Sequence, residues 1–220
     1  MKSSNASGTR QRTRRAILDA MVDVIMEADG IGFSVQAVAD RAGVTHRTIY
    51  NHFPTREALC DGFSDYVDEL LAESAGAAAE PAWSLASLPR LVEDLYRTLA
   101  LRDRHARAYV MLMIGNRRPM SAWRKRSLMA EKLIAREQSG RIPLTPRQVT
   151  AVIRMFVSTM GWHLLTEQCG LSTEEAAAAS AWATRTLLDA AIAKRTTKRT
   201  AKPSSSTSQG GANATRRRRN

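Results

Sequence analysis

Two short apolar-patterned stretches on either side of a single glycine, within residues 33–57, constrain the fold of this chain more than any other feature. Ser34 precedes the first stretch, and a serine there can accept a hydrogen bond from an unpaired amide of a first helical turn. Gly43 follows that stretch and can adopt the left-handed conformation that ends a helix. Thr45 can cap a second helix, which Pro54 ends by disfavouring helical backbone at the residue before it. The pattern therefore predicts two short helices joined by a tight turn.

The two predicted helices differ in how their polar residues are distributed. The first has a continuous apolar face at helical spacing, made by Val35, Val38, Ala39 and Ala42. The second has only a narrow apolar seam, Ile49 and Phe53, and its other positions carry hydrogen-bond donors or acceptors: His46, Arg47, Thr48, Tyr50, Asn51 and His52. A helix of this kind suits the major groove of DNA, where base edges present a code of donors and acceptors. The alternative is a helical hairpin whose polar face is merely solvated.

The residues around this turn also carry a family resemblance. The run of residues 37–60, AVADRAGVTHRTIYNHFPTREALC, resembles the helix-turn-helix of the TetR family of one-component bacterial regulators. The resemblance extends from about Thr13 to Leu71, and its most specific part is the motif AGV-x4-IYNHF-x2-RE-x-L. It implies an N-terminal DNA-binding head, an effector pocket between the helices of a larger body, and a dimer in which two helices from each subunit form a four-helix interface.

The candidate DNA-binding residues differ in the contacts they can make. Arg47 is the best candidate for a guanine contact, because its planar fork can reach O6 and N7 together. The remaining polar residues of the groove helix that could read base edges or hold phosphates are His46, Thr48 and Asn51, with Thr45 at its start. The first predicted helix offers free amides to a phosphate at Ser34, Val35 and Gln36. The resemblance implies DNA-backbone contacts by Tyr50, His52 and Arg56.

The formal net charge of +12 is concentrated at the two ends of the chain. Residues 1–15 and 194–220 together hold fourteen of the 33 Lys and Arg residues and no acid, which leaves the rest of the chain slightly acidic. Basic segments of this kind bind phosphates without reading sequence. The charge therefore also permits a second hypothesis, a less selective DNA-coating protein that binds through its ends.

Helical periodicity continues beyond the turn, and no β pattern or internal repeat appears. The sequence predicts an all-α chain of about nine helices, with a three-helix DNA-binding head followed by a helical-bundle effector and dimerisation domain. The predicted organisation is a disordered basic arm at 1–11, the helix-turn-helix domain at 12–75, a boundary at 76–83, the helical domain at 84–195 and a disordered basic tail at 196–220.

The last two predicted helices are the expected dimer surface. The first, Pro146–Gln168, is the most apolar of the set, and the second, Ser172–Arg195, is rich in alanine and begins with a capping box between Ser172 and Glu175. Packing of both helices inside the body is the alternative. A two-fold dimer would double the length of DNA that is read, which predicts a double-stranded, palindromic operator as the partner.

Apolar helices of the body carry several side chains that could line an effector pocket. The candidates have polar tips or adaptable thioethers: Tyr109, Met111, Met113, Trp123, Met160, Trp162 and His163. Ordinary core packing is the other role open to each of them. A ligand that binds there is expected to favour a conformation in which the two DNA-reading heads are wrongly spaced. The sequence leaves repression and activation open, with a ligand-responsive repressor as the first hypothesis.

Several other classes of function find no support in the sequence. No nucleophile motif, phosphate-binding glycine loop or paired-carboxylate signature is present, so we expect neither an enzyme nor a cofactor. An all-helical enzyme is the third hypothesis, after the repressor and the DNA-coating protein. His46 and His52 lie six positions apart, which does not place them as a metal pair on one helical face. No run approaches the roughly 20 apolar residues of a membrane span. Two distant cysteines and the lack of a signal peptide predict a reduced, cytoplasmic protein.

Overall fold

In a computed structural model of the chain, the structure describes residues 2–28, 33–74, 84–116, 121–138 and 142–192, without the side chains of residues 2–6 and 121–123. All regular secondary structure within these ranges is helical, as predicted. The helices are α1 Lys2–Glu27, α2 Val35–Arg41, α3 His46–His52, α4 Arg56–Ser74, α5 Leu88–Leu101, α6 Asp103–Gly115, α7 Ser121–Glu137, α8 Pro146–Phe156, α9 Thr159–His163 and α10 Thr173–Ile192. A 3₁₀ turn at Leu85–Ser87 precedes α5, and a π-helical turn at Leu164–Gln168 continues α9. None of these described helices is long and apolar enough to cross a bilayer.

Helix α1 begins ten residues earlier than the sequence predicted. The predicted start was Arg12, with a disordered arm at 1–11, but the backbone is helical from Lys2. This part of the prediction is corrected. Residues 2–11 contain no proline, and each residue added to an existing helix gains one backbone hydrogen bond at little further cost in nucleation. The predicted boundary at 76–83 and the predicted tail at 196–220 lie outside the described residues.

The apolar helix predicted at Pro146–Gln168 is broken in two, which is a second correction. Helix α8 ends at Phe156, and Ser158 adopts an extended conformation from which its hydroxyl caps α9 by accepting the Gly161 amide at 3.0 Å. Serine competes in this way with the helical backbone for hydrogen bonds. The freed Phe156 carbonyl accepts the Tyr96 hydroxyl at 2.8 Å. This break accounts for the tenth α-helix in the described chain, where about nine were predicted.

Two hydrophobic cores hold the helices together. The head core joins α1 to α4 through fully buried side chains such as Ile17, Met21, Val38, Ile49 and Phe63. The body core is formed by α5, α7, α8, α9 and α10. Its buried side chains include Val92, Tyr96, Ile134, Ile153, Trp162 and Leu188. Helix α6 takes part in both, since its Tyr109 and Leu112 lie in the head core and its Ala106 in the body core.

Small residues bring α10 close to α5. The buried face of α10 consists of alanines, Ser180, Thr184 and Leu188. The capping box predicted at its start is present, because the Ser172 amide donates to Glu175 Oε2 at 2.8 Å and the Glu175 amide donates to Ser172 Oγ at 3.2 Å. Residues 193–195, the predicted end of this helix, lie outside the described chain.

Candidate nucleic-acid interface

The turn between α2 and α3 has the local geometry that its sequence predicted. The Ala37 amide donates to the Ser34 hydroxyl at 3.4 Å, which caps α2. Gly43 has φ of 65°, a left-handed conformation that a Cβ would strain. The Val44 amide donates a hydrogen bond to the Ala39 carbonyl at 3.0 Å, so the chain changes direction within three residues of the end of α2. The direction of α3 is therefore fixed by backbone bonds as well as by packing.

Helix α3 presents its apolar seam inward and its polar side outward. Thr45 caps it by accepting the Thr48 amide at 3.1 Å, and Ile49 and Phe53 are only 1% and 2% exposed. Phe53 leaves the helical conformation, with φ −137° and ψ 94°, as expected before a proline. Arg47 and Asn51, which lie one turn apart, are both exposed. The outer side of the helix can therefore meet a partner without any change to the core.

All eleven residues predicted for DNA binding reach the surface of the head. Eight are exposed, namely Ser34, Gln36, Thr45, His46, Arg47, Tyr50, Asn51 and Arg56, and three are half-buried, namely Val35, Thr48 and His52. Arg56, at the start of α4, lies with its guanidinium 4.5 Å from the centre of the Phe33 ring. That stacking places Arg56 beside the beginning of α2, although 22 positions separate it from Ser34 in the sequence. The roles of these residues in DNA binding stay predictions.

Several of these side chains are held by neighbours on the same helix. Gln36 donates to Asp40 at 2.7 Å, and the hydroxyls of Thr45 and Thr48 lie 2.8 Å apart. The rings of His46 and Tyr50 meet edge to face with their centres 4.9 Å apart. Interactions between side chains three and four residues apart limit rotamer freedom on a helix surface. Less rotamer entropy is then lost when such a surface binds a partner.

Two arginines that the sequence interpretation had assigned to a non-specific arm belong to this surface. The Arg14 guanidinium lies 4.4 Å from the centre of the Phe53 ring, at the end of α3. Burial lowers the pKa of His52, and the positive charges of Arg10 and Arg14 lower it further. Arg10 and Arg14 lie four positions apart, one turn of a helix, but this signal is visible only if α1 is known to extend through them.

An exposed cluster of ion pairs ties α2 to α1 and α6. Arg41 pairs with Glu27, with one nitrogen–oxygen distance of 2.9 Å, and with Asp23 at 3.3 Å. Asp23 also accepts a hydrogen bond from Arg104 at 2.7 Å. The Arg41 hydrogen bond lowers the pKa of Glu27. Since α6 also packs in the body core, this cluster links the helix-turn-helix to the body as well as to α1.

A cavity of about 170 Å³ lies between α4, α5, α6, α7 and the break after α8. It is lined by Asp68, Leu71, Leu91, Leu95, Tyr109, Met113, Arg126, Arg154, Val157, Ser158 and Thr159. Of the residues predicted to bind a ligand, Tyr109 and Met113 line it. Met111, Met160, Trp162 and His163 do not, and the side chain of Trp123 is not described.

The four predicted ligand residues away from the cavity have other surroundings. Met111 packs against the head core, and Trp162 is 2% exposed within the body core. Met160 and His163 are half-buried on α9, and burial lowers the pKa of His163. Met160, Trp162 and His163 lie on α9, which the break after Phe156 separates from α8. These residues and Met111 therefore do not line this cavity, and their predicted role in ligand binding stays a prediction.

Three charged side chains form part of the cavity wall. Arg126 on α7 donates to Asp68 on α4 at 2.6 Å, and Arg154 on α8 lies on the same wall. Burial raises the pKa of Asp68 in spite of the neighbouring Arg126. Burial and the charge of Arg126 lower the pKa of Arg154 to about 10. Two guanidinium groups and one carboxylate therefore share a poorly solvated space.

The head of this chain is similar to known proteins. Residues 17–62 match the family described as bacterial regulatory proteins, tetR family. The HTH-type transcriptional regulator AlkX of Mycobacterium tuberculosis is 31% identical over 75 residues, which are 34% of this chain and 36% of that protein. The match thus spans little more than a third of the relative's length.

Solved structures show the same fold over most of the chain. The crystal structure of NalD, the secondary repressor of the MexAB-OprM multidrug efflux pump in Pseudomonas aeruginosa, superposes with a TM-score of 0.58 at 20% identity, covering 84% of this chain and 98% of NalD. A putative TetR-family transcriptional regulator from Rhodococcus sp. superposes with a TM-score of 0.57 at 21% identity, covering 80% and 99%.

Proposed function

We propose that this chain, whose N-terminal head matches the tetR family of bacterial regulatory proteins, is a sequence-specific DNA-binding transcriptional regulator that acts as a dimer on a two-fold symmetric operator. The observation that carries the proposal is the outward presentation of Arg47 and Asn51 on a capped helix whose inner side is buried. An α-helix fits the major groove of B-DNA, and side chains of its exposed face can reach base edges there.

Recognition divides between α3 and the residues around it. Arg47 makes a bidentate contact to a guanine, and Asn51 and His46 contact neighbouring base edges. Phosphates are held by the surrounding ring of polar and basic side chains: Ser34, Gln36, Tyr50, His52 and Arg56, together with Arg10 and Arg14 of α1. Phosphate contacts of this type position the head, while base contacts specify the sequence.

A gel-shift comparison of two arginine variants tests the DNA-binding role. Arg47→Ala should weaken binding to the selected operator by about 1–3 kcal/mol and relax specificity at one base position. Arg97→Ala is the matched control, because Arg97 is an exposed arginine of α5 that pairs with its helical neighbours Glu93 and Asp94. The operator is first selected from a random DNA pool. Equal affinities of the two variants would exclude the proposed role of Arg47.

Salt dependence separates this function from the DNA-coating alternative, which the basic ends of the chain favour. Binding through phosphates weakens steeply as salt rises, whatever the sequence. A regulator that reads base edges should retain an affinity ratio of about 10³ or more between the selected operator and a random duplex. A ratio near one at every salt concentration would favour the coating protein.

The dimer interface is proposed on the outer faces of α8 and α10, the two regions predicted from the sequence. Exposed apolar side chains lie there: Val152 and Met155 of α8, at 40% and 54% exposure, and Trp182 of α10, at 68%. Alanines 178 and 179 flank Trp182 on the same outer face and permit close helix approach. A dimer would place two copies of α3 about 34–36 Å apart, one turn of DNA.

The dimer is tested by sedimentation of two single-site variants. Trp182→Ala should shift the chain toward the monomer at micromolar concentration, because buried tryptophans contribute strongly to interfaces. Leu101→Ala is the control, since Leu101 is 73% exposed at the end of α5, on another part of the body. A wild-type chain that sediments as a monomer would remove the basis for a two-fold operator.

We further propose that a small molecule in the body cavity modulates DNA binding, and that the usual outcome is repression. NalD, which shares the fold, is described as a repressor. A dimer bound over a promoter excludes polymerase, so repression requires no further partner. The site of action is the bacterial cytoplasm, where the operator lies. A reporter fused to the selected operator, compared with and without this chain, distinguishes repression from activation.

A further inference from the structure

The first part of α1 projects from the head without joining its core. Helix α1 begins at Lys2, and Ile17 is its first buried residue among the described side chains. The side chains of residues 7–12 are all exposed. An α-helix rises 1.5 Å per residue, so about 18 Å of α1 separate Lys2 from Arg14. Residues 2–14 are called the α1 extension below.

The contact made by Arg14 fixes where the α1 extension leaves the head. The Arg14 guanidinium lies 4.4 Å from the centre of the Phe53 ring, at the C-terminal end of α3. A Cβ at Gly62 of α4 would collide with the same ring and lie 3.2 Å from an Arg14 nitrogen, so this glycine leaves space for the stack. One turn earlier, the charge of Arg10 is close enough to lower the pKa of His52, the last residue of α3. The α1 extension therefore runs past the end of the helix that is proposed to read DNA.

The sequence of the α1 extension is unfavourable for a helix that has no anion beside it. Residues 2–15 include five basic residues, and the first acid of the chain is Asp19. Arg10 and Arg14 are four positions apart, and like charges at this spacing destabilise a helix. Gly8 adds a further entropic cost within the extension. Because helices gain most of their stability from packing against a partner, a polyanion along this segment would stabilise it.

The arginines of the α1 extension lie on different sides of the helix. Arg10 and Arg14 share the side that faces the end of α3. With 3.6 residues per turn, Arg12 lies about 200° around the helix from Arg10. Its Nε donates to the Gly8 carbonyl of the same helix at 3.3 Å. The charge of Arg10 and Arg14 is thus placed to continue the outer surface of α3, and the charge of Arg12 is not.

We propose that the α1 extension is a second DNA-binding element of the head, which lies along the phosphate backbone beyond the base pairs contacted by α3 and turns Arg10 and Arg14 toward it. Phosphate contacts position a protein and carry no sequence information directly. The extension therefore lengthens the duplex that one head covers and adds to its affinity. The position of α3 on DNA rests on the proposed function, but contact between α1 and a duplex does not require sequence-specific reading.

Two charge-matched variants test whether the α1 extension contacts DNA through one side. Each phosphate contact adds about 0.9 to the slope with which the logarithm of the binding constant falls against the logarithm of salt concentration. Arg10→Gln should therefore reduce this slope by about 0.9 on the selected operator, and Arg12→Gln should leave it nearly unchanged. A reduction by Arg12→Gln as large as that by Arg10→Gln, or no reduction by Arg10→Gln, would overturn the proposal. Both side chains are exposed, so neither change should affect folding, which circular dichroism checks.

Ethylation interference locates the phosphates that α1 contacts. The wild-type chain and Arg10→Gln are each bound to operator duplexes that carry single ethylated phosphates, and the bound and free fractions are compared. Phosphates whose ethylation weakens binding of the wild-type chain but not of Arg10→Gln should lie outside the base pairs whose substitution weakens wild-type binding. The same interfering phosphates in both proteins, or a difference confined to those base pairs, would contradict the proposed path of α1.

The salt comparison on a random-sequence duplex separates this proposal from the function on which the position of α3 rests. Equal affinity of the wild-type chain for the selected operator and the random duplex would contradict the proposed regulator. A smaller slope for Arg10→Gln than for Arg12→Gln on both duplexes would still support the contact between α1 and DNA. In contrast, a wild-type slope for Arg10→Gln, together with a retained preference for the operator, would reject the α1 contact and leave the regulator in place.

Discussion

The head and the body of this protein differ in where the polar side chains of their proposed binding sites lie. In the head, Arg47 and Asn51 point to solvent, and the inner side of the same helix is purely apolar. In the body, the buried polar residues include Ser180 and Thr184, at 1% and 0% exposure, and an ion pair lines the cavity. Both regions are helical, so secondary structure does not cause the difference. Each region is polar where it is proposed to meet its ligand.

This difference has consequences for stability. An outward polar group is solvated whether or not it binds, so removing it changes binding more than folding. An inward polar group loses its water on folding and must find a partner. The Tyr96 hydroxyl does so twice, donating to the Phe156 carbonyl at 2.8 Å and lying 3.1 Å from Ser180 Oγ. Binding and folding should therefore be separable in the head and coupled in the body.

The largest expected effect compares the two sides of α3 within the head. Phe53 is 2% exposed in the head core, and Phe53→Ala should lower the free energy of unfolding by about 3–5 kcal/mol. Tyr50→Ala, three residues away at 37% exposure, should change it by at most about 0.5 kcal/mol while weakening DNA binding. Urea denaturation followed by circular dichroism measures both. Similar losses of stability would show that α3 is not divided into an inner and an outer side.

A second comparison makes the same glycine substitution in each region. A Cβ at Gly161 would lie 2.0 Å from the Met155 carbonyl oxygen, so Gly161→Ala forces the backbone at the α8–α9 break to move and should cost about 1–3 kcal/mol. Gly8 lies in α1 with nothing within 4 Å of a Cβ, and Gly8→Ala should stabilise by about 0.5–1 kcal/mol. Thermal denaturation of the two variants should give shifts of opposite sign. Shifts of the same sign would contradict the close approach at Gly161.

A third comparison removes one hydroxyl from each region. Tyr96→Phe leaves the Phe156 carbonyl and Ser180 without a bond that they now make, and should lower stability by about 1–3 kcal/mol. Tyr50→Phe removes an exposed hydroxyl of the head and should leave stability unchanged. Calorimetric unfolding at neutral pH measures the difference. Equal stability of the two variants would mean that the buried hydrogen bonds of Tyr96 contribute nothing net.

The smallest expected effect concerns pH and the surface of the body. The Ser172 amide lowers the pKa of Glu175, so this carboxylate stabilises α10 above its unfolded pKa and loses that contribution as pH falls through the lower folded value. Gln148 makes the corresponding bond to the Thr145 amide at 2.8 Å but does not titrate. Glu175→Ala should thus lower the free energy of unfolding less in acid than at pH 7. The loss caused by Gln148→Ala should not depend on pH in this way. Unfolding curves between pH 7 and about pH 3 measure this. If Glu175→Ala lowers the free energy of unfolding as much in acid as at pH 7, the ionised Glu175 carboxylate does not stabilise α10.

Local signals in the sequence were sufficient for the helix-turn-helix. Ser34, Gly43, Thr45 and Pro54 act on backbone groups within four residues of themselves, and each has the predicted conformation or bond. The predicted DNA-binding residues came partly from such local patterns and partly from the family resemblance. The structure adds two candidates, Arg14 through its contact with Phe53 and Arg10 because α1 begins earlier than predicted.

The body was less predictable because its important contacts are distant in sequence. Nothing near Phe156 signals the end of α8 strongly, and the Tyr96 hydroxyl that meets its carbonyl lies 60 positions away. The cavity forms where that break meets α4 to α7, and of the predicted ligand residues Tyr109 and Met113 line it. Asp68, Arg126 and Arg154 carry no shared motif that periodicity could detect.

The sequence by itself determined that this chain is helical, where the head turns, and which side of α3 is polar. These features depend on hydrogen bonds and side-chain spacings that span a few residues, so residues close together in the sequence determine them. Only the tertiary structure decided which charges share the cavity and where the long apolar helix breaks. Those features depend on which helices pack together, and the same apolar faces permit more than one packing until the whole core is formed.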